Sequence, residues 1–184
     1  YEISLIPLAS KKGRLLPLEN WKPQTLIVGL EHDWQLIEGM GDQLWFVTNK
    51  GAPKLKVVKV DLSGADAVFS DIIAERSEPL ARAQIVGSRL VLSYLKDAAS
   101  LAEMVSLDGK PLQRIQLNSI GTASGFSGKP GDPETFYSFS SFNQPGAIYR
   151  FDSTTGKSSV FAQPKLSFEP ASISIEQRFY ASKD

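Results

Sequence analysis

Few residues in this chain could do chemistry. The single histidine, His32, stands between two carboxylates in Glu31-His32-Asp33, residue types that suit a general base with an orienting acid. Neighbours along a strand point to opposite faces, so adjacency alone does not bring these side chains together; the expectation is a loop or strand-edge histidine. Ser124-Gly125-Phe126-Ser127-Gly128 resembles a nucleophile elbow at a glance. An elbow centred on Ser127 needs glycine where Lys129 stands, and a helix after the turn; a strand end and hairpin are expected instead. Asp61, Asp108 and Asp152 could be imagined as metal ligands, but each precedes a glycine-containing turn and their regular recurrence assigns them to those turns. Glu38 is the one carboxylate on an inner-strand pattern, too little for a sugar-active or metal-dependent site.

The wider composition narrows the chemistry further. The chain has 184 residues and no cysteine, so a disulfide framework, a thiolate zinc site and a cysteine nucleophile are excluded. One histidine excludes a multi-histidine metal centre. No glycine-rich phosphate loop runs into Lys-Ser/Thr, and no acidic loop has calcium-hand spacing. Catalytic residues, cofactor-binding residues, metal ligands and cofactors are therefore all expected to be absent here, and any catalysis must be shared with residues outside the chain. Lys and Arg number 20 against 20 Asp and Glu; such a balance disfavours a nucleic-acid partner, which needs a basic face. Apolar runs such as Leu26-Ile27-Val28 and Leu90-Val91-Leu92 fall far short of the roughly 20 residues that span a bilayer. Tyr1-Glu2-Ile3-Ser4 lacks signal-peptide character and starts as if in mid-strand, so the chain reads as a piece cut from a longer one. The absence of cysteine fits cytoplasm or periplasm equally.

The elements that must position these residues read as strands. Leu44 to Thr48, Lys56 to Asp61, Arg89 to Leu95, Phe136 to Ser140 and Ile148 to Asp152 are rich in β-branched and aromatic residues, the mark of strands. Most of the 14 Gly and 11 Pro fall between them, as hairpin turns require. Two stretches, Ala65 to Glu75 and Ala98 to Val105, are weak helix candidates; the first suits an outer strand and the second sits between strand patterns.

Self-comparison gives the architecture. Leu44-Trp45-Phe46-Val47, Leu90-Val91-Leu92-Ser93 and Phe136-Tyr137-Ser138-Phe139 recur at steps of 46 residues. A second landmark, an apolar stretch ending at Asp61, Asp108 and Asp152, recurs at steps of 47 and 44. Further strands precede the first landmark (Trp34 to Met40, Ala83 to Gly87, Gly121 to Phe126) and follow the second (Ala67 to Ile73, Leu112 to Leu117, Ser158 to Ala162). Four strands in roughly 46 residues is the pattern of a β-propeller blade. The fold class expected is all-β, a propeller fragment of about four blades of four antiparallel strands, 16 strands in total. Residues 31–75, 80–118 and 120–163 form full blades. Residues 1–20 supply the last strands of a preceding blade (Glu2 to Leu8, Arg14 to Leu18), and 170–184 the first strands of a following one (Ser172 to Ile175, Arg178 to Ser182) or a crossover. Leu44, Phe46, Leu90, Leu92 and Phe136 are expected to alternate in exposure with their neighbours. Trp45, Tyr94, Tyr137, Phe139 and Tyr149 are expected to pack between blades.

Phe136 to Asp152 resembles the last full blade of the prolyl oligopeptidase family of serine peptidases. Glu176-Gln177-Arg178-Phe179-Tyr180-Ala181-Ser182-Lys183-Asp184 is similar to the family's crossover into its hydrolase domain, where a Ser-Lys-Asp-Gly run follows the strand. Phe46 to Pro53, followed by Val60-Asp61-Leu62, also resembles a family blade. The resemblance implies a seven-bladed propeller over an α/β-hydrolase domain that cleaves short peptides after proline. It places the Ser, Asp and His triad beyond Asp184, so no triad residue maps onto this sequence and His32 does not match the catalytic histidine. The implied partners are that catalytic domain, the remaining blades and an oligopeptide substrate, with no nucleic acid and no membrane. The rival expectation is a stand-alone small propeller acting as a binding scaffold.

Overall fold

The computed structural model describes residues 2–8, 14–167, 169, 172–181 and 183. Two compact units divide the chain, Tyr1–Ala74 and Glu75–Asp184. The described residues hold fourteen strands and one short 3-10 turn, and no helix among them is long and apolar enough to cross a membrane.

In the first unit, β1 (Ile3–Leu5) pairs antiparallel with β2 (Gln24–Ile27). A four-stranded sheet follows in the order β3 (Trp34–Met40), β4 (Gln43–Thr48), β5 (Lys56–Asp61), β6 (Val68–Ile73). Ile27 of β2 joins Trp34, Phe46, Val58 and Val60 of the sheet in one buried cluster. The expected strand Arg14 to Leu18 does not form; β1 takes its partner from Gln24–Ile27 instead. Pro17, with φ of −58°, opens a 3-10 turn at Leu18–Asn20. Proline offers no amide to a ladder, and Leu15 and Leu18 are left exposed.

The second unit holds two four-stranded sheets. One runs β7 (Leu80–Val86), β8 (Arg89–Lys96), β9 (Ala99–Ser106), β10 (Pro111–Ile115). The other runs β11 (Thr122–Lys129), β12 (Asp132–Ser141), β13 (Gln144–Asp152), β14 (Lys157–Ala162). Val86, Val91, Met104 and Ile115 of the former pack against Phe126, Tyr137, Tyr149 and Phe151 of the latter. The sheets approach closely at Gly128, where a Cβ would lie 2.8 Å from Val86 Cγ2 and 3.0 Å from the Ile85 carbonyl oxygen. Glycine is the residue that lets backbone come this near. Both weak helix candidates are strands: they hold β6 and β9.

Strand count and exposure differ from expectation. Three four-stranded sheets and one two-stranded sheet replace four blades' worth, and fourteen strands replace sixteen among the described residues. Residues 172–181 form no ladder; Ser182 lies outside the described residues. That segment is tied by side chains: Asn143 Nδ2 donates to the Ile173 carbonyl at 2.8 Å, and Gln177 Nε2 donates to the Asp97 carbonyl. Of the three strands that hold Leu44, Leu90 and Phe136, only β12 alternates. There Thr135, Tyr137 and Phe139 are buried, and Phe136 is 39% exposed. Trp45 to Thr48 and Leu90 to Leu92 are continuously buried, because strands covered on both faces lose the alternating signal.

Candidate functional site

The residues singled out for chemistry are dispersed and mostly serve the backbone. Glu31 and His32 lie in a bend before β3, and the Asp33 amide donates to Asn49 Oδ1 at 2.9 Å. Glu38, on β3, accepts the amide of Gly39 at 2.9 Å. The run Ser124 to Gly128 lies inside β11 rather than at a strand end. Its register is broken between Gly125 and Ser127, with φ of 119° at Gly125 and 59° at Phe126. This bulge turns Phe126 into the core, where it stacks on Tyr137 at 4.5 Å. The Ser127 carbonyl accepts the Thr135 hydroxyl at 2.6 Å. Among the described residues no group of three or more His, Asp and Glu could hold a metal ion.

The aspartates act at turns, with one reassignment. Asp61 Oδ1 accepts the Ser63 amide at 2.8 Å, and Asp152 Oδ1 accepts the amides of Thr154 at 2.7 Å and Thr155 at 3.3 Å. Asp61 sits opposite Gln43, and Asp152 opposite Glu134. The matching position of the second sheet is Ser106, opposite Arg89, not Asp108. Ser106 Oγ accepts the Lys110 amide at 3.0 Å. A serine hydroxyl does the aspartate's task more weakly, and Asp108 lies two residues beyond the matching position. Corrected in this way, the steps are 45 and 46.

Electrostatics moves these groups away from acid–base work at neutral pH. The Ser63 hydroxyl and amide hold the Asp61 carboxyl below its ordinary value. The Thr154 amide does the same for Asp152, and the Ser77 hydroxyl for Glu78. Burial raises the Tyr94 and Tyr137 hydroxyls. A general base works best when its pKa approaches the operating pH; carboxyls pushed down and phenols pushed up do the opposite.

The aromatic side chains build the layers. Tyr137 lies between Phe126 and Tyr149, at 4.5 Å and 5.2 Å, nearly parallel to both. The Tyr149 hydroxyl accepts from Asn118 Nδ2 at 2.5 Å and from Gln144 Nε2 at 3.1 Å. Tyr137, Phe139 and Tyr149 thus pack between the two sheets of the second unit. Trp45 is 1% exposed, with the Lys59 ammonium 5.9 Å from its ring. Arg76, which sequence reading missed, lays its guanidinium 3.4 Å from the Tyr94 ring centre and bonds Glu103 at 3.0 Å. Its signal was too diffuse to read, because its partners lie on β8 and β9.

This architecture has counterparts among known proteins. The profile of the family described as "Prolyl oligopeptidase, N-terminal beta-propeller domain" matches residues 3–164. A prolyl endopeptidase of Elizabethkingia miricola is 36% identical over 177 residues, covering 94% of this chain and 25% of that protein. A prolyl oligopeptidase of Omphalotus olearius is 34% identical over 172 residues, covering 89% of this chain and 22% of that protein. A solved structure from a study of two prolyl endopeptidases superposes with a TM-score of 0.79 at 39% identity, over 92% of this chain and 24% of that one. Prolyl oligopeptidase B of Galerina marginata shares the fold, with a TM-score of 0.77 at 24% identity over 92% of this chain and 24% of that one. The chain thus spans about a quarter of the length of the relatives it matches. With three antiparallel four-stranded sheets in register with its repeat, it belongs to the prolyl oligopeptidase family and matches that family's N-terminal β-propeller domain.

Proposed function

We propose that residues 1–184 are a non-catalytic portion of one β-propeller domain in a proline-specific serine oligopeptidase, covering the active site and restricting it to short peptides. The observation that carries this reading is a propeller-domain match over residues 3–164 in a chain that spans only 25% of its relative. In the whole protein an α/β-hydrolase domain supplies a Ser-His-Asp set and an oxyanion hole for acyl transfer, and this chain supplies no catalytic group. The remaining blades and the hydrolase domain are its partners. One outward face of the β11–β14 sheet supports the presence of further blades: Phe136, Ile148 and Phe161 are 39%, 43% and 64% exposed, and Phe136 and Phe161 meet edge to face at 5.0 Å. Such a face gains stability when another layer covers it.

A cover works by geometry. It admits an extended oligopeptide and refuses a folded chain, so selectivity by size needs no specific contact. The test compares the full-length peptidase bearing this sequence with a version lacking the propeller. Each is given a short proline-containing peptide and a folded protein with proline-containing surface loops. The intact enzyme is expected to cleave the peptide and spare the protein, and the truncated enzyme to cleave both. Undiminished discrimination in the truncated enzyme would overturn the reading.

A further inference from the structure

The first unit carries a groove that the cover role does not use. It encloses about 400 Å³, within the range of roughly 300–1,000 Å³ usual for ligand sites. Val58 and Trp34 line it, with Ile27 of β2 and the following Val28 on one side and Phe69 of β6 on the other. The Trp34 ring, buried in the core cluster, forms the floor and is held by edge-to-face contacts with Phe46 at 5.8 Å and Phe69 at 6.1 Å. Val28 is 83% and Phe69 43% exposed, leaving apolar area uncovered.

The charged lining is unbalanced. Lys50, Lys56 and Asp71 are its ionic residues. Lys56 Nζ lies 2.8 Å from Asp71 Oδ2 and its side chain is only 17% exposed. The lining thus holds one carboxylate and two ammonium groups, and Lys50 makes no ion pair among the described residues. A ligand that completes this set carries one negative charge beside an apolar group. The strands that form the sides add a preference: among the described residues β2 and β6 each have a strand neighbour on one edge only. Unpaired strand edges present backbone donors and acceptors to an extended peptide.

We propose that this groove binds the C-terminal end of an apolar peptide, with its free carboxylate at Lys50 and Lys56 and its last side chain between Val28 and Phe69. The site stands on the first unit alone, so its failure would leave the propeller reading intact.

Calorimetric titration of the purified chain tests this, with acetyl-leucyl-phenylalanine as the free acid and as the amide. The acid is expected to bind saturably and about tenfold more tightly than the amide, as one charge-assisted contact provides. Lys50→Ala is expected to bring that ratio towards one. Val28→Asp, at an exposed position, is expected to abolish binding with an unchanged circular dichroism spectrum. Equal affinity for acid and amide, no saturable binding, or an unchanged ratio in Lys50→Ala would overturn the proposal. Hydrocinnamate binding as tightly as the dipeptide acid would overturn the assignment of a peptide.

Discussion

At the residue scale, turn carboxylates rather than reactive groups set the chemistry. Asp61 and Asp152 each accept turn amides and are held below their ordinary value of 3.8. A carboxyl depressed in the folded state adds stability above the unfolded pKa and loses it as pH falls through the folded value. The urea midpoint is therefore expected to fall as pH is lowered below about 3.8. The double variant Asp61→Asn, Asp152→Asn should flatten that part of the profile; a profile identical to wild type would contradict the turn assignment. These roles were legible because Asp before glycine has a local signature. Ser106 was not, since a serine in a strand announces a turn only once its opposite residue is known. The aromatic residues were legible as core, but their stacking order was not: Phe126 joins Tyr137 only through the bulge at Gly125.

At the element scale, the sheets were legible wherever repetition reinforced local pattern. Leu44, Leu90 and Phe136 all fall on the second strand of their sheets. The 46-residue spacing also settled β6 and β9, whose own residues gave an ambiguous signal. Where repetition ended, legibility ended with it. The partner of β1 lies across a long connection containing Pro7, Pro17 and Pro23, and no local pattern names Gln24–Ile27 over Arg14 to Leu18. Gly128 is where sheet packing is most exacting. Gly128→Ala puts a methyl group against Val86 and the Ile85 carbonyl, and overpacking of this kind costs about 1–3 kcal/mol. A thermal melt should show the loss. An unchanged melting temperature would mean that the β7 and β11 strands are not held at this distance.

At the scale of the whole molecule, the sequence carried the family and the repeat carried the layers, while chemistry stayed out of reach for a physical reason. Tyr137, Phe139 and Tyr149 are buried where sheets stack, so the most conspicuous residues point to packing and not to substrate. In the four-stranded sheets β4, β5, β8, β9, β12 and β13 hold much of the core, β7 buries Leu80, Ala83, Ile85 and Val86 as well, and β14 is exposed throughout. The central proposal is that this chain is part of a proline-specific peptidase and contributes none of its catalytic groups. The most direct measurement incubates the purified, folded chain with a chromogenic proline-linked peptide, with and without a serine-directed inhibitor. The account predicts no cleavage above the buffer rate in either arm, whereas cleavage that the inhibitor abolishes would contradict it.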